Sequence, residues 1–230
     1  MTRYKSKMEP IPIEKFLKLA DLKTENFGLS DWKKIKQIVA PVDIKKIFAV
    51  NVMPLVYLKK LLWHVGLLGN SEIKAYEDTE IILSCVDPNL VLLGQKFVYR
   101  EKYTAILENF GNLFKDFAIS QGISKLTPFL ITGLDFDGNY VLAHYLPPII
   151  EVHDTKLILL DGVHRCFIVK QSGGSLEAII IKNVKIPFPC IPKPWEKIKV
   201  IEKRPENIDE RYFDLKIDLF RDLKGIGIDG

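Results

Sequence analysis

The sequence predicts a mixed α/β protein, on three observations. Short apolar runs of strand length, Glu80-Ile-Ile-Leu-Ser-Cys-Val86, Leu157-Ile-Leu-Leu160 and Leu176-Glu-Ala-Ile-Ile-Ile-Lys-Asn-Val184, are rich in branched residues. Between them lie segments of helical periodicity, such as Tyr103 to Phe117 with Ile106, Leu107, Phe110, Leu113, Phe114 and Phe117 on one stripe. Punctuation falls where the two patterns meet, at Asp87-Pro88-Asn89, Asp161-Gly162 and Gly173-Gly174. With 47% hydrophobic and 27% charged residues in 230, the chain has enough apolar material for a real core and is not a disordered polyelectrolyte.

Taken in order, Ile13 to Ala20 and Ser30 to Val39 read as amphipathic helices, the second opened by a capping serine and carrying Trp32, Ile35 and Val39 on one side. Val42 to Val50 follows Pro41, and a helix is expected from Pro54 through His64. His64 lies among Leu61, Leu62, Trp63 and Val65 and reads as a packing residue. Thr127 to Thr132 and Tyr140 to Tyr145 read as strands joined by Asp135-Phe-Asp-Gly-Asn139. That turn opens like a calcium loop, but its twelfth position is Leu146 rather than glutamate, so a hairpin turn is expected. Pro187, Pro189, Pro192 and Pro194 predict an extended surface segment leading to Trp195. Tyr212 to Leu219 suits either a strand or a helix, and the last residues from Gly225 are expected to fray.

The chemistry is expected at the break after Leu160. Asp161-Gly162 ends a strand, and Val163 to Ser172 reads as a helix closed by Gly173 and Gly174. A glycine turn that opens a helix leaves free backbone N–H groups at the helix start, which is an anion site. Gly162 lets a ligand approach the backbone closely, and Arg165 offers a fork of donors for phosphate or carboxylate. His164 can donate or relay a proton, and Asp161 can cap the helix or hold a divalent ion or a hydroxyl. For an isolated string of this kind, the plain alternative makes Asp161 an N-cap and Arg165 a surface cation.

The order of Leu146 to Val152, a turn at His153 to Lys156, the Leu157 strand, Asp161-Gly-Val-His-Arg165, helix, glycine and the Leu176 strand resembles the ParB/sulfiredoxin superfamily. It is closest to the Asp-Gly-x-His-Arg branch that includes the archaeal free-serine kinases. Sulfiredoxins carry a cysteine immediately before the His-Arg pair, where this chain has Val163. Partition proteins carry a Gly-Glu-Arg-Arg type box at the equivalent turn. The resemblance implies a small mixed-sheet ParB/sulfiredoxin-like core (α/β, α+β) over residues 76–200, an N-terminal helical, basic subdomain over 1–75 and a C-terminal extension over 201–230.

The same resemblance implies ATP or ADP with Mg²⁺ as cofactors, a small-molecule hydroxyl acceptor, and a kinase-like phosphotransferase or nucleotide hydrolase. Asp161 and His164 would then be catalytic, and Gly162, Val163, His164, Arg165 and Cys166 would bind phosphate. Glu80, Glu101 and Glu108 are the candidates for a second carboxylate. The alternative is a ParB-like DNA-binding or nuclease-type module.

That alternative draws on charge. The net charge is +4, but Met1 to Val65 holds 13 Lys and Arg against 6 Asp and Glu, leaving 20 against 23 for the remainder. A nucleic-acid surface requires Lys33, Lys34, Lys45, Lys46, Lys59 and Lys60 to share one face. Cys85, Cys166 and Cys190 lie far apart, so neither a disulfide framework nor a cysteine zinc site is expected, and the four histidines show no metal-ligand spacing. The most apolar stretch, Met53 to Leu68, is interrupted by Lys59, Lys60 and His64, so no membrane partner and a reducing, cytoplasmic setting are expected.

Overall fold

A computed structural model describes residues 8–19, 32–108 and 127–228. In chain order these give β1 (Ile11–Pro12), α1 (Ile13–Leu19), β2 (Gln37–Ile38), β3 (Lys46–Val52), α2 (Leu55–Trp63), β4 (Gly66–Leu67), β5 (Glu80–Val86), β6 (Val91–Leu93) and β7 (Phe97–Tyr99). After α3 (residues 100–108) come β8 (Phe129–Leu134), β9 (Tyr140–Tyr145), β10 (Ile149–His153), β11 (Lys156–Asp161), α4 (Val163–Gln171), β12 (Leu176–Lys182), β13 (Lys199–Ile201), α5 (Ile208–Arg211) and β14 (Arg221–Asp222). The fold is mixed α/β and divides into two compact units, one of residues 1–77, 127–146 and 221–230, the other of 78–126 and 147–220.

The first unit is built on a five-stranded sheet in the order β1-β2-β9-β8-β3. The expected N-terminal helical subdomain is corrected here. Helix α1 forms, but Ser30 and Asp31 lie outside the described residues, and Trp32 to Lys34 make a single 3-10 turn before β2. Sheet pairing overrides helical spacing: Lys36 N–H donates to Tyr140 O and Val39 N–H to Leu142 O, which removes both amides from any helix. Residues 46–52 are likewise a strand, because Ile47, Phe48, Val50 and Val52 suit a pleated surface and β8 offers an edge. Helix α2 forms after Pro54 and buries Tyr57, Leu58, Leu61 and Leu62, while His64 Nδ1 bonds Lys60 O at its end.

The strands predicted at 127–132 and 140–145 exist as β8 and β9, but they belong to this first sheet and not to the 76–200 core. Their hairpin turn is held by Asp135, whose carboxylate accepts from the N–H groups of Asp137 and Asn139 and from the side chains of Asn139 and Gln37. Those bonds hold the Asp135 carboxyl below its usual range despite the opposing effect of desolvation, and both oxygens serve the turn.

The second unit carries a sheet in the order β5-β12-β10-β11-β6. Strand β10 runs antiparallel to β11 and parallel to β12, and α4 carries the chain from β11 past β10 to β12. Its core packs Val163 and Cys166 of α4 on Ile150, Leu159, Ala178 and Ile180 of the sheet, joined by Val98 and Trp195. Leu159 and Ile180 are buried, as their strand pattern predicts. Phe167 is half-buried between Tyr103 and Trp195, with ring centroids 5.8 and 6.3 Å away. Trp195 is anchored at the end of the proline-rich segment by its indole N–H, which donates to Pro88 O at 2.7 Å.

The C-terminal residues are not a separate extension. Residues 201–220 belong to the second unit and 221–228 to the first. Tyr212 to Leu219 is neither strand nor α-helix: Tyr212 bridges to Gln95, and Ile217–Leu219 is a 3-10 turn. The aromatic stripe from Phe110 to Phe117 lies outside the described residues.

Candidate phosphate-binding site at the start of helix α4

The strand, glycine turn and helix expected at Asp161 form with nearly the predicted bounds. Gly162 is the N-cap and adopts φ +95° and ψ +23°, a left-handed geometry open to glycine and costly for other residues. A Cβ at Gly162 would also lie 2.9 Å from Pro148 Cα. Gly162→Ala is therefore expected to lose about 1 to 3 kcal/mol of stability through backbone strain, measured by denaturant titration. At the other end Gly173, at φ +69°, closes the helix as predicted, with Gly174 N–H donating to Val169 O.

The side chains of the turn are placed differently from the expectation. Asp161 does not cap the helix; its Oδ2 accepts from Arg165 Nη2 at 2.7 Å, one turn on. Both members of this pair are mostly shielded, so Arg165 is an internal ion-pair partner as well as a cation at the helix start. Its removal would strand the Asp161 carboxylate, and folding would not be spared.

His164 is buried, and its Nε2 accepts a hydrogen bond from Tyr99 N–H at 3.0 Å. Burial first, then the positive charges of Lys102, Arg165 and Arg204, push its pKa down to about 3. It is a neutral acceptor that ties α4 to β7, which removes it from proton relay. Cys166 is fully buried with its thiol pushed up to about 12, chiefly by desolvation, and its N–H donates to Gly162 O. The amides that open α4 without an i−4 carbonyl inside the helix are those of Val163, His164 and Arg165.

What the sequence pattern does not reveal is the set of groups that folding brings beside this turn. Tyr99 stacks on His164 with centroids 5.2 Å apart, and its hydroxyl is buried with no hydrogen-bond partner among the described residues. Arg204 Nε is in the same condition. The Tyr99 hydroxyl is raised above its ordinary value by burial, against the pull of Arg204 and Arg211. Arg211 spends its guanidinium on the carbonyls of Pro205 and Glu206. Lys102, Arg165 and Arg204 thus all act electrostatically on one buried imidazole, adding positive charge at the positive end of a helix. These residues come from β7, α3, α4 and the segment after β13, so no local motif could announce them.

Of the three candidate carboxylates, Glu101 is brought to this region, where its Oε1 accepts from Arg204 N–H at 3.3 Å. Glu80 is not; it pairs with Lys182 where β5 begins and β12 ends. Glu108 is exposed on α3. No group of three or more His, Cys, Asp or Glu suited to a metal ion exists among the described residues. All three cysteines are free thiols.

The six lysines of the nucleic-acid alternative lie in the first unit in three places, the 3-10 turn at Trp32–Lys34, the start of β3 and helix α2. Lys34 and Lys46 lie over the rings of Tyr140 and Phe48, which pack together at 5.4 Å, whereas Lys59 and Lys60 lie on α2. No helix among the described residues is long and apolar enough to cross a membrane. Comparison of the chain with protein-family models, with curated proteins and with solved structures finds no match in any of the three.

Proposed function

We propose that the start of α4 binds the phosphates of a nucleotide, ATP or ADP with Mg²⁺, and that phosphotransfer to a small hydroxyl acceptor or nucleotide hydrolysis is the chemistry it serves. The observation that carries this reading is the pair of buried, unpartnered donors, Tyr99 Oη and Arg204 Nε, beside the α4 start. An unpaired buried polar group costs about 1 to 3 kcal/mol, a cost that a bound anion would remove. Arg165 and Lys102 add charge, and the β10-β11-α4-β12 order supports the ParB/sulfiredoxin-like reading of this unit. Within this reading Asp161 and Glu101 are the carboxylates available to orient an acceptor or a hydrated Mg²⁺, and His164 is a positioning residue.

The test is thermal denaturation with ATP and ADP, with and without Mg²⁺. A nucleotide at a hundredfold excess over its Kd is expected to add about 3 kcal/mol of stability. Arg204→Met should weaken that binding by roughly 1.5 to 3 kcal/mol, the usual worth of bonds to a charged group. Tyr99→Phe should weaken binding while leaving the unliganded protein as stable or more so, since the lost hydroxyl has no partner to abandon. Nucleotides that shift nothing, or an Arg204→Met protein that binds as the wild type does, would remove the reading.

A further inference from the structure

A second group of polar side chains lies at the other end of the β10-β11 ladder. That ladder runs from Ile149 opposite Asp161, beside the α4 start, to His153 opposite Lys156. Glu151 sits on β10, the central strand of its sheet, with Ile158 and Ile181 as lateral neighbours. Its side chain is fully buried, and its Oε2 lies 2.6 Å from Nε2 of His153, two residues on and therefore on the same face. His153 keeps 19% of its side chain exposed and lines a cleft of about 460 Å³ with Val152, Asp154, Lys182, Asn183 and Val184. The cleft opens past the carboxyl ends of two parallel strands, β10 and β12, the usual place for a ligand in an open α/β sheet. Asp154 and Asn183, which leave those strands, both hold left-handed backbone, at φ +55° and +61°.

A carboxylate between isoleucines in the middle of a sheet is a poor choice for stability alone, because a packed apolar side chain avoids the desolvation cost of the ion. What Glu151 does is fix the imidazole. With Nε2–H donating to Oε2, the lone pair of His153 resides on Nδ1, which has no partner among the described residues. We propose that Glu151 and His153 form a proton-transfer pair serving this cleft, and that its ligand is a small uncharged or cationic molecule bearing an acidic O–H or N–H. The proton passes from the ligand to Nδ1, and the resulting imidazolium is stabilised by the Glu151 carboxylate.

The charges set the ligand class. Asp154 and Glu151 bring negative charge, while Lys182, the cation that lines the cleft, is paired with Glu80 at 3.3 Å. An anionic ligand is thereby disfavoured, which separates this cleft from the phosphate site proposed at α4.

Two alkylating probes of one shape test it, neutral iodoacetamide and anionic iodoacetate, with sites and rates mapped by peptide mass spectrometry. At His153 the Nδ1–carbon bond forms as the carbon–iodine bond breaks and iodide leaves. His153 should react with iodoacetamide at least about tenfold faster than it does in the denatured chain, and Glu151→Gln should remove most of that advantage, because the carboxylate that orients the ring and stabilises the developing positive charge is gone. Asp154→Asn, which keeps a residue tolerant of left-handed backbone, should raise the iodoacetate-to-iodoacetamide rate ratio by about fivefold. The proposal is overturned if His153 reacts no faster than in the denatured chain, or if a folded Glu151→Gln protein reacts as the wild type does. Should Glu151→Gln not fold, an unchanged ratio in Asp154→Asn overturns it equally.

Discussion

Lowering the pH from 6.5 to 5 is expected to cost each unit about 2 kcal/mol from one buried histidine. In the first unit His144 is fully enclosed, its Nε2 2.6 Å from Tyr57 Oη and its Nδ1 3.3 Å from Gly227 O. Burial pushes its pKa down to about 4, and the same cause with nearby cations takes His164 in the second unit down to about 3. In the unfolded chain both return to an ordinary value near 6.5. Below that value the unfolded chain takes up protons that the folded protein refuses. Stability is therefore complete above pH 6.5 and is lost as the pH falls toward the folded values.

Against a typical total of about 5 to 15 kcal/mol, such losses are large. Most of the window from pH 6.5 to 5 lies above the range in which ordinary carboxylates titrate, so histidine dominates the slope. Denaturant titrations across it should show the loss, and His144→Asn should flatten the part belonging to the first unit. Equal stability at both ends of the window would show that these imidazoles are not held neutral by the fold.

How much of this was legible depends on whether the information was local. The β5 strand, the β11-Gly162-α4 turn, the Gly173 closure and the Asp135 hairpin were all readable, because each rests on residues adjacent in sequence: a branched apolar run, a glycine at a left-handed position, an aspartate reaching its own turn amides. Residues 32–39 misled, since Trp32, Ile35 and Val39 have helical spacing and the strand they enter exists only because β9, about a hundred residues later, offers its edge. The same non-locality placed β8 and β9 in the first unit, not the second.

The candidate sites divide along the same line. Gly162 and Arg165 were visible at the turn, but Tyr99, Lys102 and Arg204 reach it through tertiary packing alone, and the burial that makes His164 a neutral acceptor leaves no mark in a five-residue string. Glu151 and His153 did carry a signal, an acidic residue interrupting a buried strand with a histidine at same-face spacing.

Gly133→Ala is expected to cost about 3 kcal/mol or more, whereas Gly138→Ala, five residues on in the same hairpin, should cost only about 1 kcal/mol. Gly138 has φ +81° at the turn with nothing within 4 Å of an added Cβ, so only backbone preference opposes alanine there. At Gly133 the backbone is not left-handed, but a Cβ would lie 2.1 Å from Lys46 O and 2.7 Å from Ile44 Cγ2. The obstruction is main chain and cannot rotate away. Its position is fixed on both sides, by Lys45 N–H donating to Leu134 O and by the register that sets Lys46 opposite Leu134 and Ile47 opposite Gly133. The register then slips before Ala49, so Phe48 is the extra residue of a β-bulge, and a glycine opposite such a bulge allows the strands their close approach. Alanine must open the β3-β8 ladder at that point and lose backbone bonds in the sheet that holds the first unit together. Chemical denaturation of the two variants should separate them by about 2 kcal/mol or more, in the order Gly133→Ala below Gly138→Ala. Equal losses would mean that β3 and β8 do not approach as closely as the bulge requires.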